Sequence, residues 1–112
     1  MDKPQINIDE FAKIEVKVGT VRSAERVPET DKLLRLMVDF GEEAPRQIVS
    51  GIAAYVPEPG ALVGRQLAFV TNLESRTIKG IESNGMLFAV GLEDSFAFLA
   101  PDRSVPPGTA AH

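Results

Sequence analysis

AAYVPEPGALVG, residues 53–64, lies between two strand-like runs, RQIVSGI (46–52) and RQLAFVTN (65–72). It carries two prolines and two glycines. Proline has no N–H to give to a ladder, so a central strand is ruled out there. The segment reads as a short helix or turn that covers one end of a sheet. Upstream, LLRLMVDFG (33–41) places Leu34, Leu36, Val38 and Phe40 on one face and Arg35 and Asp39 on the other. EEAP (42–45) reads as a charged hairpin connection. In IEVKVGTVRSA (14–24), Ile14, Val16 and Val18 alternate until Gly19, after which the apolar phase moves to Val21. A glycine at a phase change predicts a bulge or bend, the device by which a long first strand turns the corner of a small barrel.

Two further segments complete the frame. Asn7-Ile8-Asp9-Glu10 has the form of a helix start, with Asn7 as N-cap and Glu10 able to reach back. It predicts a single turn, anchored by Phe11 and Ile14. Downstream, NLESRTIKGIESNGM (72–86) reads as a long loop, followed by a fifth strand MLFAVG (86–91) and a sixth, SFAFLAP (95–101). A loop of that length in a small domain is usually functional. The tail, DRSVPPGTAAH (102–112), is expected to be extended or partly disordered.

The pattern predicts an all-β domain over residues 5–108: a five-stranded oligonucleotide-binding (OB) barrel. It has a short helix between strands 3 and 4 and C-terminal extension strands. Such barrels bind ligands on strands 2 and 3, between the loops joining strands 1–2 and 4–5. Here those loops are residues 25–32 and 72–86.

Composition excludes much chemistry. The chain of 112 residues has no cysteine, so disulfides and thiolate chemistry are absent, and its single histidine is the last residue. Ser50 and Ser83 have no histidine to activate them, and no glycine-rich phosphate loop is present. Neither a catalytic role nor a cofactor is expected. No apolar run approaches the roughly 20 residues of a membrane span, and MDKPQINIDEF has no secretory apolar core, so a cytoplasmic protein is expected.

The net charge of −4 argues at first against nucleic acid. Its distribution says more: residues 11–35 and 65–80 each carry +2, and the remaining segments are acidic. Both basic segments flank the expected groove. Of six Phe and one Tyr, Phe40, Phe69 and Phe88 fall at core positions, which leaves only Tyr55 as a candidate stacking group. Recognition of a folded RNA by phosphate contacts and shape therefore fits better than a single-strand stacking platform. Phe96, Phe98 and Leu99 form an added apolar strand that needs a cover, either their own barrel or a two-fold partner; a dimer interface is the favoured expectation.

FAKIEVKVGTV (11–21), AERVPETDKLLRLMVDFG (24–41), RQIVSGIAAYVPE (46–58), LVGRQLAFVTNL (62–73) and KGIESNGMLFA (79–89) together resemble the tRNA-binding domain family. That family includes the C-terminal appendage of bacterial methionyl-tRNA synthetase and free-standing bacterial relatives. The resemblance implies structure-dependent, largely sequence-independent tRNA binding without catalysis, as a synthetase appendage or as a homodimer acting in trans. A chaperone-like, peptide-binding relative of the same fold is the alternative. It also implies RNA-binding roles for Lys32, Arg35, Ser50, Asn72, Arg76, Lys79, Ser83, Asn84 and Met86. Ser50 and Asn72 could instead be turn formers or backbone hydrogen-bond partners, Ser83 a turn cap and Met86 part of the core. Asn84 stands where the family usually has Gln, and Lys17 where Arg is common.

Overall fold

The computed structural model describes residues 2–112. After a one-turn helix, α1 (Ile8–Phe11), the chain forms β1 (Val16–Arg26), β2 (Leu34–Asp39), β3 (Arg46–Ser50) and β4 (Gln66–Val70). Then come β5 (Arg76–Ile78), β6 (Ile81–Ser83), β7 (Met86–Leu87), β8 (Ala89–Val90) and β9 (Ala97–Phe98). One antiparallel sheet runs β3-β2-β1-β4-β7 and curls into a nearly closed barrel. The fold is the expected all-β barrel, and the insertion between β3 and β4 is two 3-10 turns, Ala53–Tyr55 and Pro59–Leu62. They press Ala53, Val56 and Leu62 into the end of the core.

β1 is the shared wall. Its first half pairs with β4 (Val16↔Val70 to Thr20↔Gln66) and its second half with β2 (Thr20↔Asp39 to Arg26↔Leu34). The bulge expected at Gly19 lies instead at Arg22, where the register jumps between Val21 and Ser23. Gly19 serves a different purpose. A Cβ there would meet the Val38 side chain and stand 2.6 Å from the Phe40 ring, so the strand can cross the core only without one. Val21, Leu34, Leu36, Val38, Ile48, Leu67 and Phe69 are fully buried, and Phe40 meets Phe69 edge-on at 5.4 Å.

One main-chain bond and several side-chain bonds, rather than a continuous ladder, close the gap between β3 and the β6–β7 segment. Gln47 Nε2 donates to Glu82 O (2.8 Å), Asn84 N donates to Gln47 O (2.8 Å), and Val49 N donates to Ser83 Oγ (3.0 Å). Arg46 completes the seam. Its guanidinium holds Glu42 at 2.9 and 2.7 Å and donates to the carbonyls of Thr71 (2.7 Å) and Asn84 (3.3 Å).

Four expectations change. The 72–86 segment is not an irregular loop: β5 and β6 form a hairpin through Arg76↔Ser83 and Ile78↔Ile81. Its two turn residues, Lys79 (φ 51) and Gly80 (φ 82), share the left-handed backbone that suits a two-residue turn. The tail is not loose. Val18 N donates to Thr109 O (2.9 Å), Gly108 N to Val18 O (2.7 Å) and Ala111 N to Val16 O (2.8 Å), which covers the edge of β1 that β2 has left. Phe96 and Phe98 are covered by their own barrel, since Phe96 stacks on Tyr55 at 4.5 Å and Phe98 lies under Arg65. Finally, Phe88 is 43% exposed and the presumed anchors Phe11 and Ile14 are 53% and 49% exposed. The alternation runs unbroken through β7 and β8, with Leu87 and Ala89 turned inward and Met86, Phe88 and Val90 outward, and the all-apolar run conceals which set faces the core. The α1 cap is as expected on one side only: Asn7 Oδ1 accepts from Glu10 N (2.8 Å), while Glu10 pairs with Lys13 instead.

Candidate nucleic-acid interface

The connection from β1 to β2 is a rigid loop. Val27 N donates to Leu33 O (3.1 Å), Thr30 Oγ1 donates to Val27 O (2.8 Å), and Lys32 O accepts from Ala53 N of the insertion (3.0 Å). Facing it is the tip of the β5–β6 hairpin. Between them lies a cleft of about 310 Å³ lined by Glu29, Thr30, Asp31, Lys32, Leu33, Ile78 and Lys79. Lys32 and Lys79 thus reach one space from segments 47 residues apart, and Arg76 stands exposed at the base of the same hairpin.

Ion pairing divides the cations of the chain into two groups. Lys13, Lys17, Arg22, Arg35 and Arg46 each have a carboxylate within 4.0 Å. Among the described residues, Lys32, Arg76 and Lys79 have none, and neither do Lys3, Arg26, Arg65 and Arg103. Arg35, on the outer face of β2, is held by Glu25 at 2.9 Å, and its Nε is buried without a partner. Its charge is therefore largely spent within the sheet.

The remaining expected contacts divide. Ser83 is buried, accepting from Val49 N and donating to Gly85 O (3.0 Å), so its hydroxyl builds the seam. Asn72 Oδ1 accepts from Glu15 N (2.9 Å) and its Nδ2 donates to Lys13 O (2.6 Å), tying the N-terminal segment to the end of β4. Asn84 contributes its backbone to the seam, and Ser50 is half-buried at the end of β3 opposite Leu34. Met86 lines a second groove, of about 420 Å³, with Phe11, Ile14, Val70, Leu73 and Phe88, and every group on its wall is apolar. The sequence reading missed Glu29, Thr30, Asp31, Leu33 and Ile78 in the cleft. The signal was available for Ile78, because Thr77-Ile78 and Ile81-Glu82 flank a two-residue Lys-Gly turn, a hairpin signature.

An OB barrel with basic side chains on the loops at one end has the architecture of an oligonucleotide-binding domain. The chain belongs to the family described as "Putative tRNA binding domain", whose model matches residues 16–110. The methionine–tRNA ligase of Methanospirillum hungatei is 51% identical over 106 residues, 95% of this chain. The chain spans about 15% of the length of the curated relatives it matches. A MetRS-related protein from Pyrococcus horikoshii has the same structure with TM-score 0.89 and 40% identity, covering 98% of this chain and all of that one. The chaperone CsaA from Bacillus anthracis follows at TM-score 0.84 and 27% identity, covering 97% of this chain and all of that one.

Proposed function

We propose that this chain binds folded tRNA as a non-catalytic module, with RNA phosphates held by Lys32, Arg76 and Lys79. The observation that carries this is that Lys32 and Lys79 lie on the two walls of one cleft, with Arg76 exposed at the base of the same hairpin, and that none of the three is held in an ion pair among the described residues. Phosphates supply the missing partners and release condensed counterions, so affinity falls steeply with salt. Arg35 and Ser50 lie at the margin of this surface. Ser83, Asn72, Asn84 and Met86 serve the fold and the second groove instead. The module acts as a synthetase appendage or in trans, in the cytoplasm in either case. The test is competition between bulk tRNA and an unstructured RNA of equal length across a salt series. The tRNA is expected to win at every salt concentration; equal affinity would sink recognition of folded shape.

The apolar groove favours a further element of this reading, a homodimer. Ile8, Phe11, Ile14, Leu73, Met86 and Phe88 are all at least 41% exposed on one chain, and soluble monomers rarely leave such a patch open. A second copy covers it with the same residues around a two-fold axis. Sedimentation is expected to give a dimer for the wild type and a monomer for Phe11→Glu combined with Phe88→Glu. A wild-type monomer that suppresses aggregation of an unfolded client, and ignores tRNA, would support the chaperone-like reading instead.

A further inference from the structure

We infer that the cleft between the β1–β2 loop and the β5–β6 turn takes one unpaired nucleotide of the bound RNA and prefers guanine. This rests on the tRNA reading above and specifies what one part of that site reads. The cleft, at about 310 Å³, is at the small end of the range for sites that enclose a compact ligand, about 300–1,000 Å³. Its lining is divided as a nucleotide is divided. Leu33 and Ile78, both half-buried, offer apolar surface for the faces of a base. Lys32 and Lys79 offer donors for the phosphate. Glu29 and Asp31 offer carboxylates, which in their ionised form only accept hydrogen bonds. The Thr30 hydroxyl proton is already given to Val27 O at 2.8 Å.

The acceptors select the base. In single-stranded RNA the Watson–Crick edge is open to side chains. Guanine presents two adjacent donors there, N1–H and N2–H, which one carboxylate accepts together. Adenine, cytosine and uracil each present a single donor beside acceptors that a carboxylate repels. The walls are held ready for this: Ala53 N fixes Lys32 O at 3.0 Å, and the hairpin is anchored by the register from Arg76↔Ser83 to Ile78↔Ile81. A pocket formed before binding loses little on ordering.

The experiment titrates the isotope-labelled full chain with each of the four 5′-mononucleotides and follows amide resonances. GMP is expected to bind roughly tenfold more tightly than the other three, with shifts centred on Asp31, Leu33, Ile78 and Lys79. Asp31→Asn combined with Glu29→Gln is expected to level the four affinities. Lys79→Ala is expected to weaken all four alike. These side chains are exposed, so the variants keep the wild-type spectrum elsewhere. Equal affinity of the wild type for all four nucleotides, or shifts centred outside the cleft, overturns the inference while leaving tRNA binding standing. Shifts in the cleft with an extended peptide and none with any nucleotide also overturn it. Failure of the same preparation to bind bulk tRNA overturns the broader function instead.

Discussion

Alanine at Lys32, Arg76 and Lys79 together is expected to weaken tRNA binding on the order of 100-fold at moderate salt, from about 1 kcal/mol per charge-assisted phosphate contact. The slope of log affinity against log salt should fall by about 2–3, since each neutralised phosphate contributes about 0.7–0.9. Fluorescence anisotropy with labelled tRNA over a salt series measures both quantities. The three side chains are exposed and form no ion pair among the described residues, so the melting temperature should stay within a few degrees of the wild type. Arg35→Ala is the informative control. Its guanidinium is already held by Glu25, so its loss should change affinity only slightly and leave the salt slope nearly intact. An unchanged slope in the triple variant would remove these residues from the interface.

Arg46→Ala is expected to destabilise the fold by about 2–3 kcal/mol, a drop in Tm of about 10 °C for a domain of this size. Among the described residues, Arg46 alone joins the β2–β3 turn, the end of β4 and the β6–β7 segment at once, through Glu42, Thr71 O and Asn84 O. It also lies over the Phe40 ring at 5.4 Å. Its side chain is 24% exposed, so the loss is smaller than for a fully buried pair. Arg46→Lys keeps the charge but not the fork, and should recover less than half of the loss. Thermal or urea unfolding checks both. The same node sets part of the acid response. The hydrogen bond from Arg46 holds the Glu42 carboxyl below its ordinary range, as the Thr71 hydroxyl does for Glu15 and the Gly41 N–H does for Asp39. A carboxyl with a lowered folded-state pKa adds stability above the ordinary carboxylate range. That stability is lost as pH falls through the lower, folded value. Acid unfolding should therefore be less steep in Arg46→Ala, because the contribution of Glu42 is gone.

Most of the barrel was legible because its strands obey a period of two. Leu34, Leu36 and Val38 alternate with Arg35, Met37 and Asp39, and the structure buries the first set and turns the second outward. The insertion was legible from its prolines. What could not be read was set by partners distant in sequence. Ser83 and Asn72 are polar residues in a loop-like stretch, and nothing local reveals that Val49, Glu15 and Lys13 have claimed their hydrogen bonds. Phe88 sits in a run of apolar residues, where composition cannot show that Leu87 and Ala89 take the inward phase and leave Phe88 outside. The tail was misjudged for a similar reason. Its composition favours disorder, but Gly108 (φ 89) lets its backbone pass directly against Phe40, where a side chain would collide. The cations of the cleft were found because charge is visible in sequence, whereas compensation by Glu25 was visible only across a sheet.

The docked tail also fixes how the domain carries load. The tail runs antiparallel to the start of β1, with Ala111 bonded to Val16 and Thr109 to Val18. The two ends of the chain therefore leave the barrel side by side. Tension applied between them does not shear a ladder in which all bonds share the strain. It opens a zipper from its outer end, the Ala111 bond first, then those at Val18. Within a longer protein under pull, the domain would release its tail at low force and lengthen, while the barrel and its cleft stayed folded.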